Sequence, residues 1–432
     1  MVRFGRCSWI LVAILSLTIA ESGIAQKKRP TAATNLNEAD EDFALQGEYL
    51  GAILTLRAGY WYWQQIGLQV VARRDGRFDA VIYNGGLPGA AWDRKETLKL
   101  SGQREGDVLR LQSLPLTIHV HGEWADVTDT RIRSICRLSK IRRVSPTTGA
   151  VPPWNAAVLF DGSNTAMFEN GRLTKDQLLM QGADTRKPYK DFTLHLEFRL
   201  PYMPNARGQG RANSGVYIQS RYEVQILDSF GLERADNECG GLYRQRKPDV
   251  NMCYPPLRWQ TYDITFTSPK FDQSGNKTNN ARITVRHNGV LIHEDAEVTN
   301  KTGSGQQEGP KPLPIRFQDH GNPVRFRNIW LVEHDWKRRQ KHRPSIVCPP
   351  FVAGRQMHSG PFHIRVPHSS VGDRRLYKYG WAPHPRPTGS RGIRTSPTSQ
   401  YWRAEYNPIA GRYQPVRDYS PVVPDRHGYW TW

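Results

Sequence analysis

The chain has 432 residues, a formal net charge of +20 at pH 7 and 10% aromatic residues, which allows two or three domains with hydrophobic cores and excludes a chain that is disordered throughout. Its 37 glycines and 30 prolines favour turns and β-structure over long helices. The charge is concentrated in residues 336–432, where seventeen lysines and arginines stand against four aspartates and glutamates, so it says little about the ligand of the remaining chain.

The first residues have the pattern of a secretory signal. Met1–Arg6 carries two arginines, Cys7–Ala20 is an apolar run, and small residues follow at Ser22–Ala25. A signal peptide over 1–25 is therefore predicted, with an uncleaved N-terminal anchor as the alternative. We expect the mature protein to be secreted, periplasmic or associated with the cell envelope. The polar residues 26–45 then read as a linker.

Four cysteines remain once Cys7 leaves with the signal: Cys136, Cys239, Cys253 and Cys348. An even number in an oxidising compartment predicts two disulfides. Closeness in sequence favours a Cys239–Cys253 pair, which leaves Cys136 with Cys348, although four cysteines allow three pairings. A zinc site is the rival interpretation, and the absence of a CxxC motif argues against it.

Residues 46–150 are predicted to form a small β-rich module. The run Gln69–Ala72 and the run Phe78–Tyr83 flank Asp75-Gly76, a strong hairpin signal. A second turn cluster covers Asn84–Gly89. We find no catalytic constellation in this module.

Pro152-Pro153 marks the start of a second domain, residues 151–335, with many short strands and no helical periodicity. Asn288-Gly289 indicates a hairpin, and the pattern predicts an all-β fold built as an antiparallel β-sandwich. The predicted strands are Phe192–Leu200, Ser214–Gln219, Glu223–Leu227, Gln260–Thr267, Ala281–His287, Val290–His293 and Val324–Val332.

From residue 336 onward, proline, arginine and aromatic residues dominate without alternation, which predicts a basic tail of low order. Such a tail suits an anionic envelope or polysaccharide surface. Because export is predicted, nucleic acid is not an expected partner.

Alternation along the strands of 151–335 separates an apolar face from a polar one. In one strand Phe192, Leu194 and Leu196 share a side, while His195 and Glu197 share the other. A half-exposed antiparallel sheet gives the same pattern, but amides and arginines beside a tyrosine also suit sugar hydroxyls and sugar-ring stacking. The candidate sugar-binding residues are Tyr217, Gln219, Gln225, Arg316, Gln318 and Arg325.

Six segments of this domain follow one another along the chain: LFDG (159–162), YKDFTLHLEFRLP (189–201), NSGVYIQSRYEVQILDS (213–229), WQTYDITF (259–266), HNGVLIHED (287–295) and PIRFQDHGNPVRFRNIWL (314–331). In their order and spacing these segments resemble the 3-keto-disaccharide hydrolase family. The resemblance implies a jelly-roll sandwich of the concanavalin and laminarin-binding type. It also implies activity on glycosides already oxidised to a ketone at C3.

A C3 ketone acidifies the proton at C2, and its removal gives an enolate that expels the C1 aglycone. This chemistry needs a base, together with donors or a divalent metal at the C3 oxygen. His320, at a strand end before Gly321, is the first candidate for base or metal ligand. Glu223 is the second candidate for either role, with a salt bridge to Arg325 as the structural alternative, and Asp228 is expected to cap the turn that follows it.

The sequence thus predicts an exported hydrolase or lyase that cleaves 3-keto-glycosides. A non-catalytic carbohydrate-binding module and an envelope structural protein anchored by the basic tail are the alternatives, because the fold alone does not decide between them.

Overall fold

A computed structural model describes residues 32–57, 59–131, 134–334, 402–407 and 412–417. The predicted signal peptide, Cys348 and most of the predicted tail lie outside these residues, so export and surface anchoring stay predictions. The described chain is all-β, with three short 3-10 turns at Leu36–Glu38, Glu41–Ala44 and Gly208–Gly210. No helix in this described part is long and apolar enough to cross a membrane.

The strands, in chain order, are β1 Gly47–Arg57, β2 Tyr60–Ala72, β3 Arg77–Asn84, β4 Thr97–Glu105, β5 Val108–Ser113, β6 Leu116–Val120, β7 Trp124–Asp129, β8 Ser134–Ile141, β9 Ala157–Phe160, β10 Phe168–Glu169, β11 Leu179–Met180, β12 Ala183–Thr185, β13 Phe192–Arg199, β14 Ser214–Ile218, β15 Tyr222–Ile226, β16 Trp259–Thr267, β17 Lys270–Phe271, β18 Lys277–Asn279, β19 Ala281–His287, β20 Val290–Val298, β21 Arg316–Phe317, β22 Arg325–Glu333, β23 Trp402–Asn407 and β24 Arg412–Arg417.

The module predicted over 46–150 is a closed antiparallel barrel of β1 to β8, in which β1 pairs with both β2 and β8. The predicted hairpin joins β2 to β3, and its turn residues Arg74, Asp75 and Gly76 all have positive φ. Alternate residues of each strand point inward, so that Leu68 and Phe78 lie in a buried core. Closure leaves the barrel without an edge strand.

The second domain, here called the two-sheet domain (residues 153–334), contains two antiparallel sheets. One sheet has the order β10-β12-β21-β14-β15, and the other has the order β11-β22-β13-β16-β19-β20 with β9 also paired to β22. The two sheets share one hydrophobic core. Rings of facing sheets meet there, with the Tyr222 and Phe266 centroids 5.6 Å apart. The antiparallel all-β prediction is confirmed, while the jelly-roll topology stays a prediction.

The predicted alternation in β13 is correct, but its polar side is not solvated. Phe192 and Leu194 lie in the shared core, while His195 and Glu197 are fully buried on the opposite face. The segment 145–150 covers that face, and its Gly149 N–H donates to Glu197 Oε1 at 2.5 Å. A polar residue on an outward-facing strand position is therefore not always an exposed one.

The barrel packs against the two-sheet domain through several specific contacts. The Arg143 Nε donates to Glu48 Oε2 at 2.8 Å, and its guanidinium lies 4.8 Å from the centroid of the Tyr254 ring. In the segment predicted to be a linker, Ala33 pairs with Tyr202 as an isolated β-bridge. Part of the predicted linker thus joins the two cores.

The predicted Cys239–Cys253 disulfide was wrong, because both residues are free thiols. They lie buried in the shared core, where the Cys239 Sγ is 3.2 Å from the Tyr262 hydroxyl and the Cys253 Sγ is 3.6 Å from the Leu227 carbonyl oxygen. The two thiols lie close enough to hydrogen-bond each other, but they are not joined by a covalent bond. Pairing of Cys136 with Cys348 involves a residue outside the described range.

In the tail, β23 and β24 pair as a two-stranded antiparallel sheet. The sequence predicted no regular structure there. Tyr406 lies opposite Tyr413 in the backbone register of this sheet.

Candidate functional site

One small cavity on the two-sheet domain gathers several of the predicted site residues. Its volume is about 80 Å³. It is lined by Gln209, Asn213, Tyr217, Glu223, Gln225, Tyr243, Gly303, Ser304, Gln318 and His320. Both candidate catalytic residues and three of the six candidate sugar-binding residues therefore meet in one place.

Strand register explains this convergence. In the β14–β15 pair, Tyr217 lies directly opposite Glu223, and Gly215 lies opposite Gln225. Opposite residues of an antiparallel pair share a face, which brings Tyr217, Glu223 and Gln225 together. Gly215 leaves room for the carboxylate, because a Cβ at this position would lie 2.3 Å from Glu223 Oε1.

Glu223 is a buried carboxylic acid with few partners. Only 3% of its surface is exposed, and the Tyr217 hydroxyl donates to its Oε2 at 2.7 Å. With its amide nitrogen turned towards the carboxylate, Gln225 also donates to Oε1 at 2.9 Å. Burial raises the pKa of Glu223 to about 7, against the opposing effect of the Tyr217 hydrogen bond. A carboxyl with this pKa is suited to proton transfer near neutral pH.

Loops complete the rim of the cavity. The Glu223 N–H donates to Thr302 Oγ1 at 2.6 Å, which fixes the loop that carries Gly303 and Ser304. Gly303 has a φ of 43°, and a Cβ there would lie 3.1 Å from Glu223 Oε2. The Tyr243 N–H donates to the Glu223 carbonyl oxygen at 3.1 Å, so that the loop after β15 folds back over the same strand.

Sequence reasoning missed Gln209, Asn213, Tyr243, Gly303 and Ser304 as lining residues. Two of them, Gly303 and Ser304, follow Asn300-Lys301-Thr302. This motif has the Asn-x-Thr pattern of a glycosylation site and does not indicate a sugar-binding or catalytic site. Loop residues lie outside strand alternation, and so this pattern gives no means of placing them.

His320 is an exposed residue on the loop after β21. Gln318 lies two residues before His320. Its backbone N–H donates to the Gly215 carbonyl oxygen at 2.9 Å, which holds Gln318 against β14. The Gln318 Oε1 is buried, and no group within the described residues donates to it. Asp319 points elsewhere and lies 3.4 Å from Arg172. The loop thus presents an imidazole and an unpaired amide acceptor to the cavity.

Three predicted sugar-binding residues lie outside the cavity lining. Gln219 is buried beyond the end of β14, where its Nε2 donates to the Tyr189 carbonyl oxygen at 2.9 Å. The Arg316 Nε lies 3.1 Å from Asp184 Oδ1. Arg325 belongs to the other sheet.

The Arg325 guanidinium donates to Gln181 Oε1 at 2.7 Å. The structural alternative predicted for Glu223 from the sequence was a salt bridge with Arg325. Among the described residues, these two side chains do not form an ion pair. Asp228 accepts from the Phe230 N–H at 3.2 Å, as the predicted turn cap, and also lies 2.7 Å from the Arg211 Nε.

The donor set around the cavity does not fit a metal centre. Glu223 and His320 are its only carboxylate and imidazole. In the described ranges, no group of three or more histidines, cysteines, aspartates and glutamates is arranged to hold a metal ion. Among the described residues, a divalent metal at this cavity would have one carboxylate and one imidazole as ligands.

A second polar cluster lies on β13. His195 Nδ1 is 2.7 Å from Asp263 Oδ1, and Glu197 Oε2 is 2.7 Å from the Arg327 Nε. Burial alone would lower the pKa of His195, but the two carboxylates raise it to about 9. Because segment 145–150 covers this cluster, we interpret it as a structural ion network.

Comparison with known proteins gives a family for part of the chain. Residues 153–332 match the model of the 3-keto-alpha-glucoside-1,2-lyase-like domain, which confirms the resemblance predicted from the sequence. The barrel and the residues after 332 lie outside the match. None of the curated proteins compared with the chain matches it.

Two solved structures from Parabacteroides distasonis, each described as a "putative glycosyl hydrolase", are similar to this chain. The first has 31% sequence identity and a TM-score of 0.39, and covers 42% of this chain and 85% of its own. The second has 16% identity and a TM-score of 0.30, and covers 45% of this chain and 99% of its own. The family match supports a carbohydrate-active role.

Proposed function

Residues 153–332 belong to the 3-keto-alpha-glucoside-1,2-lyase-like domain family, and from this premise we propose that the protein cleaves 3-keto-glycosides by base-assisted elimination. The observation that carries the proposal is the Glu223 carboxyl, which is buried in the cavity with a pKa near 7. A lectin needs hydrogen bonds and a stacking surface but has no use for a base with a tuned pKa.

Glu223 acts as the base in this proposal. Its carboxylate removes the proton at C2, which the adjacent C3 ketone has acidified, and the C2–H electron pair forms the enolate. The enolate then re-forms the ketone as the C1–O bond breaks, which leaves a C1=C2 double bond in the sugar. The aglycone departs with the electron pair of the C1–O bond. No oxidant or reductant is consumed, and water adds to the enone afterwards if the overall reaction is hydrolysis.

His320 supplies the proton that the leaving oxygen needs. It lines the same cavity but is exposed, so it can exchange protons with solvent between turnovers. The C3 oxygen gains negative charge as the enolate forms, and hydrogen-bond donors aimed at this oxygen would stabilise that charge. The unpaired Gln318 Oε1 is suited to accept from a sugar hydroxyl.

The direct test is a turnover assay on 3-keto-glucosides and on their unoxidised parents. We expect cleavage of the keto compounds alone, because only they have an acidified C2 proton. Absorbance of the C1=C2 enone would report elimination. Binding of both sugar types without turnover would refute the enzyme and indicate a carbohydrate-binding module.

Replacing Tyr217 with phenylalanine is expected to move the pH profile. The Tyr217 hydroxyl stabilises the charged form of Glu223, so its loss raises the Glu223 pKa above 7. The acid limb of kcat/KM, which reports the free enzyme's base, should therefore move to higher pH, with little loss of activity on the alkaline plateau.

Tyr222→Phe is the matched control, because Tyr222 donates to Glu308 at 2.6 Å and this pair does not line the cavity. Its acid limb should stay in place. An unchanged limb in Tyr217→Phe would mean that Glu223 does not set the pH dependence.

Replacing His320 with alanine is expected to affect substrates according to their leaving group. An alkyl 3-keto-glucoside expels a basic alkoxide and needs a proton donor, so kcat/KM should fall about 10²-fold or more. A p-nitrophenyl 3-keto-glucoside expels a stable anion and should lose much less. Equal losses on both substrates would contradict the role of His320 as the acid.

A further inference from the structure

A second cavity lies where the barrel meets the two-sheet domain, and we call it the junction cavity. Its volume is about 620 Å³, far larger than the cavity around Glu223, and the two share no lining residue. Residues of the first turns, of the barrel and of the segment 255–258 form its walls. It is therefore a feature that the proposed elimination reaction does not use.

The junction cavity has more positive than negative side chains. Its lining includes the cations Lys140, Arg142, Arg143 and Arg258, together with His121, and the carboxylates Glu48 and Glu123. Arg143 lies 2.8 Å from Glu48, and Arg142 lies 2.9 Å from Glu123. These pairings use both carboxylates and leave two cations, Lys140 and Arg258.

Arg258 is the less satisfied of these two. It is half-buried, and no acceptor within the described residues receives a hydrogen bond from its guanidinium. Burial and the neighbouring Arg142 lower its pKa, and the more weakly acting Glu48 and Glu123 oppose this shift. An arginine that is partly removed from water without a direct ion pair carries an unfavourable desolvation free energy.

Lys140, like Arg258, has no ion pair among the described residues. Its Nζ donates to the Ala44 carbonyl oxygen at 2.5 Å and lies 5.5 Å from the centroid of the Tyr49 ring. Burial is the main cause that lowers its pKa to about 8; Glu123 opposes this shift, while Arg142 and Arg258 act in the same direction as burial. An anion bound between Lys140 and Arg258 would relieve the repulsion between them.

The other residues that line the cavity indicate what kind of molecule carries the anionic group. Phe43, Leu257 and the exposed Leu36 line the cavity beside the cations. A sugar ring has an apolar C–H face and polar edges. Apolar side chains beside cationic ones are therefore suited to bind a sugar that carries an anionic group. The planar guanidinium of Arg258 can hold a carboxylate or a phosphate through two parallel hydrogen bonds.

We propose that the junction cavity is a binding site for a sugar that carries an anionic group, held by Arg258 and Lys140. The site is independent of the elimination chemistry proposed for Glu223. It would give the barrel a role in recognising an acidic sugar, while the two-sheet domain carries the reaction.

Calorimetric titration of the full chain tests this inference, with glucuronate, glucose 6-phosphate and glucose as the three probes. We expect both anionic sugars to bind and glucose to bind at least about tenfold more weakly. Binding of only one of them would still support the site and would identify its anion as a carboxylate, for glucuronate, or a phosphate, for glucose 6-phosphate. Equal affinity for glucose, or no binding by either anionic sugar, would overturn the proposal.

Two variants distinguish a specific binding site from a general electrostatic attraction of anionic sugars to a basic protein. Arg258→Gln should weaken binding of the anionic sugars about tenfold or more. Arg110→Gln removes one charge from an exposed position on β5 and should leave the affinity unchanged. If both variants weaken binding equally, the effect belongs to net charge and the site does not exist.

A second measurement covers the case in which Arg258→Gln changes the fold. A saturating anionic sugar should raise the Tm of the wild-type chain, because a ligand that binds only the folded state stabilises it. The same sugar should not raise the Tm of Arg258→Gln, whereas an equal rise in both proteins would place the ligand elsewhere.

Discussion

Glu223→Gln is expected to lower kcat on 3-keto-glucosides by about 10²- to 10⁴-fold, the range that general-base catalysis contributes. The amide keeps the shape of the side chain and still accepts from the Tyr217 hydroxyl, which is 2.7 Å from Oε2. Substrate binding should therefore change little, and the loss should appear in kcat more than in KM. Steady-state kinetics at pH 8, where the wild-type carboxyl is mainly ionised, gives the measurement.

Glu308→Gln is the matched control for this loss. Glu308 also accepts from a tyrosine hydroxyl, that of Tyr222, but it does not line the cavity. Its activity should stay within a few-fold of the wild type. A similar loss in both variants would point to a general effect on the fold, and full activity in Glu223→Gln would exclude Glu223 as the base.

Much of this site was predictable because strand alternation is a strict geometric rule. Tyr217, Glu223 and Gln225 were assigned to one polar face, and the register of β14 with β15 places them together. Gln318 and His320 follow the same parity at the end of β21. Alternation thus brought these residues together because side-chain direction alone decides which of them are neighbours, and their roles stay predictions.

To place the candidates that lie outside the cavity, and the lining residues that were missed, requires information which alternation does not contain. Gln219 has a φ of 51° and lies past the end of β14, so the parity of the strand no longer fixes its direction. Arg325 has a side chain that could hydrogen-bond a sugar, as expected from the sequence, but it belongs to the other sheet. Tyr243 reaches the cavity from a loop. The odd or even position of a residue in its strand decides which face of the sheet its side chain occupies. The pairing between distant strands decides to which sheet that face belongs.

The same Glu223→Gln substitution is expected to stabilise the folded protein at alkaline pH. The pKa of Glu223 rises from 4.5 in the unfolded chain to about 7 in the folded one. Between these values the folded state binds more protons than the unfolded state, so this group makes stability fall as pH rises. The full penalty is present above pH 7 and amounts to about 3 kcal/mol for a shift of this size.

Glutamine has no charge to bury, and urea unfolding at pH 8 should therefore give Glu223→Gln a higher free energy of unfolding than the wild type. At pH 4, where the carboxyl is protonated in both states, the difference should vanish. Glu308→Gln should instead destabilise at pH 8, because it removes an ion pair of 2.6 Å with Lys277. A stability gain coupled to a loss of turnover would mean that the fold tolerates an unfavourable buried carboxylate because the reaction requires it. If stability at pH 8 were unchanged while turnover fell, Glu223 would be reactive without being strongly desolvated.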